Sequence, residues 1–214
     1  MSARAQQEQL WLTYNLQVKL NPHWSLLADV NHRRVSHFYR FNHTQALRTS
    51  IQLEWPNHHS LAAGYAWFLV NNPSSQLLKG FQENRLWQQW RYAPIFGKAV
   101  WQHRLRLEQR WQQRPLNGYI NQEFSVRYRY FTQWQQPFKP QAALGWLANA
   151  ELMLQTGAQV QQPLNQLRLS AGLTLQPNKH TQWVLAYLFI HANPHKWFTN
   201  KDANTIRVTL HQTF

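Results

Sequence analysis

The chain has 214 residues, no cysteine, 14% charged residues and a net charge of +14. The lack of cysteine excludes a disulfide framework and thiol chemistry, and no apolar run reaches the roughly eighteen residues of a membrane-crossing helix. A charge of +14 would suit a nucleic-acid partner, yet the basic residues are spread one or two per strand-like segment and no nucleic-acid-binding motif occurs, so no nucleic acid is expected. Mean hydropathy is −0.61, so neutral Gln, Asn, His and Thr carry the polarity. A cytosolic domain covers itself with Lys and Glu. This mixture suits lipid outside and a polar interior, and twelve Trp and eight Tyr suit a membrane–water interface.

In chain order, Met1-Ser2-Ala3-Arg4-Ala5 ends in Ala-x-Ala before Gln6, as a secretory cleavage site does. Residues 1–5 are therefore expected to be the end of a signal peptide or a disordered stretch, and 6–214 a single domain. Leu10, Leu12, Tyr14, Leu16 and Val18 then alternate with Trp11, Thr13, Asn15, Gln17 and Lys19. That period of two marks a strand with unlike faces. After Asn21-Pro22-His23, Trp24, Leu26, Ala28 and Val30 oppose Ser25, Leu27, Asp29, Asn31 and Arg33. Leu47, Ile51, Leu53 and Trp55 oppose Arg48, Ser50, Gln52 and Glu54. Leu61, Ala63, Tyr65, Trp67 and Leu69 oppose the small Ala62, Gly64 and Ala66. Glu83, Arg85, Trp87, Gln89 and Arg91 share a face. Trp101, Leu105, Leu107 and Trp111 oppose Arg104, Arg106, Glu108 and Arg110. Phe124, Val126, Tyr128 and Tyr130 oppose Glu123, Arg127 and Arg129. Ala148, Ala150, Leu152 and Leu154 oppose Asn149, Glu151 and Met153. Leu167, Leu169, Ala171, Leu173 and Leu175 oppose Arg168, Ser170 and Thr174. Trp183, Leu185, Tyr187 and Phe189 form the next apolar face. In the last strand Ile206, Val208, Leu210 and Phe214 oppose Arg207, Thr209, His211 and Thr213.

Short turns at 21–23, 56–59, 94–98 and 177–180 alternate with longer loops near 35–43, 71–82, 157–164 and 193–203. Short turns at one rim and long loops at the other are how outer-membrane barrels are built. The fold expected is all-β: a closed, up-and-down, antiparallel transmembrane β-barrel. Eleven strand patterns are visible. Single-chain bacterial barrels have even strand numbers, so about twelve strands are expected, with ten as the alternative.

The charges decide which face points inward. Asp29, Glu54, Glu83, Glu108, Glu123 and Glu151 all fall on polar faces, with Lys19, Arg33, Arg48, Arg85, Arg91, Arg104, Arg106, Arg110, Arg127, Arg129, Arg168 and Arg207. An Arg facing lipid near the midplane costs roughly 2–4 kcal/mol. An Arg facing a narrow lumen can pair, because its fork binds a carboxylate in two places. The expected interior is an Arg–Glu–Gln lattice that largely stitches the lumen shut. Its members are Arg48, Glu54, Glu83, Arg85, Arg104, Arg106, Glu108, Arg110, Glu123, Arg127, Arg129, Glu151, Arg168 and Arg207.

The strand carrying Ile206, Val208, Leu210 and Phe214 resembles the C-terminal signal of bacterial outer-membrane barrels, which implies that the assembly machinery reads it and the barrel closes on it. The chain also resembles, nearly end to end, the uncharacterised bacterial outer-membrane barrel family catalogued as domain of unknown function 2490. The likeness rests on the early Trp11 strand, Glu83-Asn84-Arg85-Leu86-Trp87-Gln88-Gln89 and His103-Arg104-Leu105-Arg106-Leu107-Glu108-Gln109-Arg110. It continues in Arg127-Tyr128-Arg129-Tyr130, Asn149-Ala150-Glu151, Asn165-Gln166-Leu167-Arg168 and the closing strand. That resemblance implies an outer-membrane location and no agreed activity. Few glycines and many Trp and Gln set this chain apart from the family pattern.

Three functions are expected in decreasing order. The first is a structural or interaction barrel, monomeric, whose basic residues Arg33, Arg34, Arg40, Lys79, Lys196 and Lys201 touch outer-membrane lipid and lipopolysaccharide phosphates. The second is a narrow anion-preferring channel. The third is a lipid A or phospholipid acyl hydrolase, which needs a Ser–His pair oriented by a third group. The close pairs are Ser36-His37 and His58-His59-Ser60, in turns and without an acid nearby in sequence. No catalytic residue, cofactor or metal site is expected.

Overall fold

The computed structural model describes residues 7–35, 41–70, 81–116, 119–160, 162–192 and 202–214. The expected signal-peptide end at residues 1–5 lies outside them. So do Arg40, Lys79, Lys196, Lys201 and the Ser36-His37 pair.

The alternating segments fold as strands β1 (Gln7–Lys19), β2 (Trp24–Val35), β3 (Phe41–Trp55), β4 (His59–Val70), β5 (Phe81–Tyr92), β6 (Ile95–Phe96) and β7 (Ala99–Leu116). They continue as β8 (Tyr119–Pro137), β9 (Leu144–Thr156), β10 (Leu164–Asn178), β11 (Thr181–His191) and β12 (Ala203–Thr213). Asn and Gly make the tight ends. Asn21 Oδ1 accepts the backbone N–H of His23 at 2.9 Å and of Trp24 at 2.8 Å. Asn57 and His58 both take φ 66° between β3 and β4, the left-handed conformation that a tight hairpin requires.

Each strand pairs with the next except that β5 skips β6 to pair with β7, and β1 pairs with β12. The sheet therefore closes on itself, as the sequence predicted. The strand number needs a correction in its reading. Twelve strands occur, but β6 is a two-residue tip that pairs only with β7, while β5 pairs directly with β7. The wall has eleven staves among the described residues, which is the number of patterns visible in the sequence. Adjacent staves run antiparallel, so an odd number leaves the first and last pointing the same way. The closing pair β1–β12 is accordingly parallel, from Gln7↔Ala203 to Gln17↔Thr213.

The faces fall as the alternation predicted. Leu105, Val30 and Leu185 are exposed on the outer wall, at 49%, 51% and 54%. Glu83, Glu108, Arg110 and Gln112 are buried inside. Small inner residues let the wall approach itself. A Cβ on Gly64 of β4 would run into the Thr49 carbonyl oxygen and the Ser50 side chain of β3. Gly64→Val is therefore expected to destabilise the fold by about 1–3 kcal/mol, read as a lower guanidinium midpoint with an unchanged slope.

Candidate functional site: the filled lumen

The inner faces of β5, β7, β8, β9 and β10 bring the predicted charges together. Register alone sets like charges opposite each other: Arg85 faces Arg110, and Arg106 faces Arg129. Such pairs repel, and three glutamates at diagonal positions offset them. Glu83 accepts Arg85 Nε at 2.7 Å, Arg110 Nε at 2.5 Å and Nη2 at 3.1 Å, and Gln112 Nε2 at 3.2 Å. Glu108 accepts Arg85 Nη1 at 3.1 Å and Arg129 Nη1 at 2.7 Å, with Arg106 Nη1 3.8 Å away. Glu151 accepts Arg104 Nη2 at 2.6 Å and Arg129 Nε and Nη2 at 3.0 and 2.6 Å, with Arg168 Nη1 at 3.6 Å. One chain of pairs thus runs Arg110–Glu83–Arg85–Glu108–Arg129–Glu151–Arg104.

Arg127 joins through an amide. Gln155 Oε1 accepts both Arg110 Nη1 at 2.8 Å and Arg127 Nη2 at 3.0 Å. The other predicted members make further contacts. Arg48 pairs with Asp29 at 2.7 Å. Glu54 accepts Gln52 at 2.6 Å and Gln17 at 3.4 Å. Glu123 accepts Asn121 at 3.4 Å. The buried Arg207 Nε meets no hydrogen-bond acceptor among the described residues. Arg33, read both on an inward polar face and among the residues touching lipopolysaccharide, lies on β2 inside the lumen, its guanidinium 4.0 Å above the Trp11 ring.

Aromatic rings are the part the sequence reading missed. Arg85 lies 3.8 Å over Phe68, Arg106 4.4 Å over Trp87, and Arg168 5.2 Å from Trp11. Arg104 stretches 4.5 Å over Phe131 to reach Glu151 two staves away. The quadrupole of each ring attracts the cation, so the rings hold guanidinium planes where carboxylates are too few. Trp11 packs on Leu188, Ile190 and Ala203, and Phe68 and Trp87 pack with Ala46, Ala62 and Ala66. Pairs and rings together therefore occupy this part of the lumen. Trp11 and Trp87 sat on polar faces of their strands, which was the available signal for them.

On the outside, toward the short-turn rim, rings form a band. His59 stacks with Tyr92 at 4.5 Å and Trp90 at 5.7 Å, and Trp101 meets His103 at 4.6 Å. The His59-Ser60 pair divides across the wall: His59 lies in this band, whereas Ser60 is buried on the inner face. The two do not form a nucleophile and base. Among the described residues no three His, Asp or Glu side chains converge as metal ligands would.

No curated protein and no solved structure matches the chain. The family described as "Protein of unknown function (DUF2490)" matches residues 8–200, nearly the whole barrel wall, and the chain belongs to that family.

Proposed function

We propose that this barrel resides in a bacterial outer membrane as a structural or interaction component whose lumen is held closed by its arginine–glutamate pairs. The observation that carries the reading is the inversion of the usual surface. Leu12, Val30, Leu47, Leu61, Leu86, Leu105, Leu173 and Leu185 are exposed around the circumference, while ion pairs occupy the core. Soluble monomers rarely expose contiguous apolar patches beyond a few hundred Å². A bilayer requires this arrangement, and the ring band of Trp55, Trp90, Tyr92, Trp101 and Trp134 suits the headgroup level. A soluble partner protein would have to surround the barrel to cover as much.

A second reading, a narrow anion channel, draws support from the surplus of cations. Six arginines share three glutamates in the lattice. Planar-bilayer recording separates the two. The purified protein is expected to give no conductance steps in 1 M KCl; uniform, anion-selective steps would replace the closed-lumen reading with the channel.

A further inference from the structure

The outer wall hides its polar groups from its surroundings by pairing them across neighbouring staves. Tyr14 donates to Gln212 at 2.6 Å, Tyr187 to Asn204 at 2.5 Å, and Tyr65 to Asn84. Trp101 donates to Thr132 at 2.9 Å, and His103 meets the Tyr130 hydroxyl at 2.9 Å. These pairs use the hydroxyl or ring N–H of one partner.

Gln88 and Gln109 break the pattern. They lie on the outer faces of β5 and β7, between the level of Trp90 and that of Trp111, in the middle of the apolar band. Gln109 Nε2 donates to Gln88 Oε1 at 3.2 Å. That bond leaves the NH2 group of the exposed Gln88 and the enclosed Gln109 Oε1 without partners among the described residues. At this depth neither acyl chains nor water supply hydrogen bonds, and an unsatisfied amide is costly there. The wall beside Gln88 is also hollow. A depression of about 870 Å³ touches Ala63, Gln88, Trp90, Leu105 and Leu107. A second of about 710 Å³ touches Ala28, Ala63, Tyr65, Leu86 and Gln88. Gln88 and the small Ala63 sit on the ridge common to both.

We infer that the β4–β5–β7 face binds a second copy of this chain, with the two Gln88 amides hydrogen-bonded to each other. The inference rests on the membrane location proposed above and departs from the monomer expected from sequence. Two copies inserted the same way are related by a twofold axis along the bilayer normal, which preserves depth. Gln88 then meets Gln88 of the other copy at one level. A primary amide carries two N–H donors and an oxygen with two lone pairs, so the symmetric pair makes two reciprocal bonds while each Gln88 Oε1 keeps the bond from Gln109 Nε2. Ala63 allows the walls to approach, and side chains beside the ridge of one copy enter the hollows of the other. Small residues with a polar contact are how elements associate in lipid, where apolar contact alone offers little drive.

The chain has no cysteine, so single introduced thiols report contacts cleanly. Leu86→Cys lies on the same outer face as Gln88, one position nearer the opposite rim; Leu173→Cys lies outward on β10, away from it. Membranes from cells expressing each variant are treated with a short bis-maleimide and resolved by mass. Leu86→Cys is expected to yield a species of twice the chain mass, and Leu173→Cys only a trace. Adding Gln88→Leu is expected to lower the Leu86→Cys yield about tenfold while leaving the barrel folded. Recovery in the membrane fraction without a crosslinked pair overturns the self-association alone. So do equal yields at the two positions, a yield indifferent to Gln88→Leu, or crosslinking to a different protein. Absence of the chain from the membrane fraction overturns the membrane reading and this inference together.

Discussion

Glu108→Ala is expected to lower the unfolding free energy by about 3–5 kcal/mol, the largest loss from any single lumen substitution. Glu108 is the middle carboxylate of the lattice. It joins Arg85 of β5 to Arg129 of β8 and faces Arg106 of its own stave. Its side chain is 2% exposed, so water cannot take its place. Removing it leaves Arg106 opposite Arg129 with one compensating carboxylate, Glu151, which Arg104 already shares. The cost is that of uncompensated buried cations rather than of a lost contact. Combining Glu108→Ala with Arg129→Met should therefore recover part of the loss, since replacing both partners of a buried pair is often neutral. Equilibrium unfolding in phospholipid vesicles measures all three proteins. Equal loss in the single and double variants would mean that the lattice is not electrostatically coupled.

The second large effect changes sign with the surroundings. Leu185→Arg places a cation on the outer wall near the middle of β11, opposite Val208 of β12. Facing the interior of a bilayer it is expected to cost about 2–4 kcal/mol, with loss of folded barrel from the membrane fraction. On a protein surrounded by water, an exposed Leu replaced by Arg changes stability by about 0.5 kcal/mol or less. Comparing the unfolding midpoint of Leu185→Arg with that of the parent chain in vesicles thus tests the membrane reading directly. An unchanged midpoint would remove it.

Much of this architecture was legible because a closed wall turns alternation into sidedness. Once the charged face was set toward the lumen, every second residue of β7 had to point inward, and Arg104, Arg106, Glu108 and Arg110 do. Strand count was less legible. Ala93 and Pro94 interrupt the pairing after Tyr92, so β6 adds a strand in sequence that adds no stave to the wall. The rule of even numbers then argued against the visible eleven patterns. On β11 the outer face, Trp183, Leu185 and Tyr187, is where the alternation put it, but the inner face was less legible. Val184, Ala186, Leu188 and Ile190 point inward and are buried, so the segment is apolar on both sides and its period of two disappears. The pairing of Arg104 with Glu151 also lay beyond sequence. It spans two staves over Phe131, a relation fixed only when register and curvature are known.

The parallel seam between β1 and β12 gives the molecule a polarity that an even-staved barrel lacks. The polypeptide enters the wall at Gln7 on the long-loop rim and leaves it at Thr213 on the short-turn rim. Topologically the whole cylinder is a single-pass connector. The two ends of the described wall therefore lie at opposite rims of the cylinder.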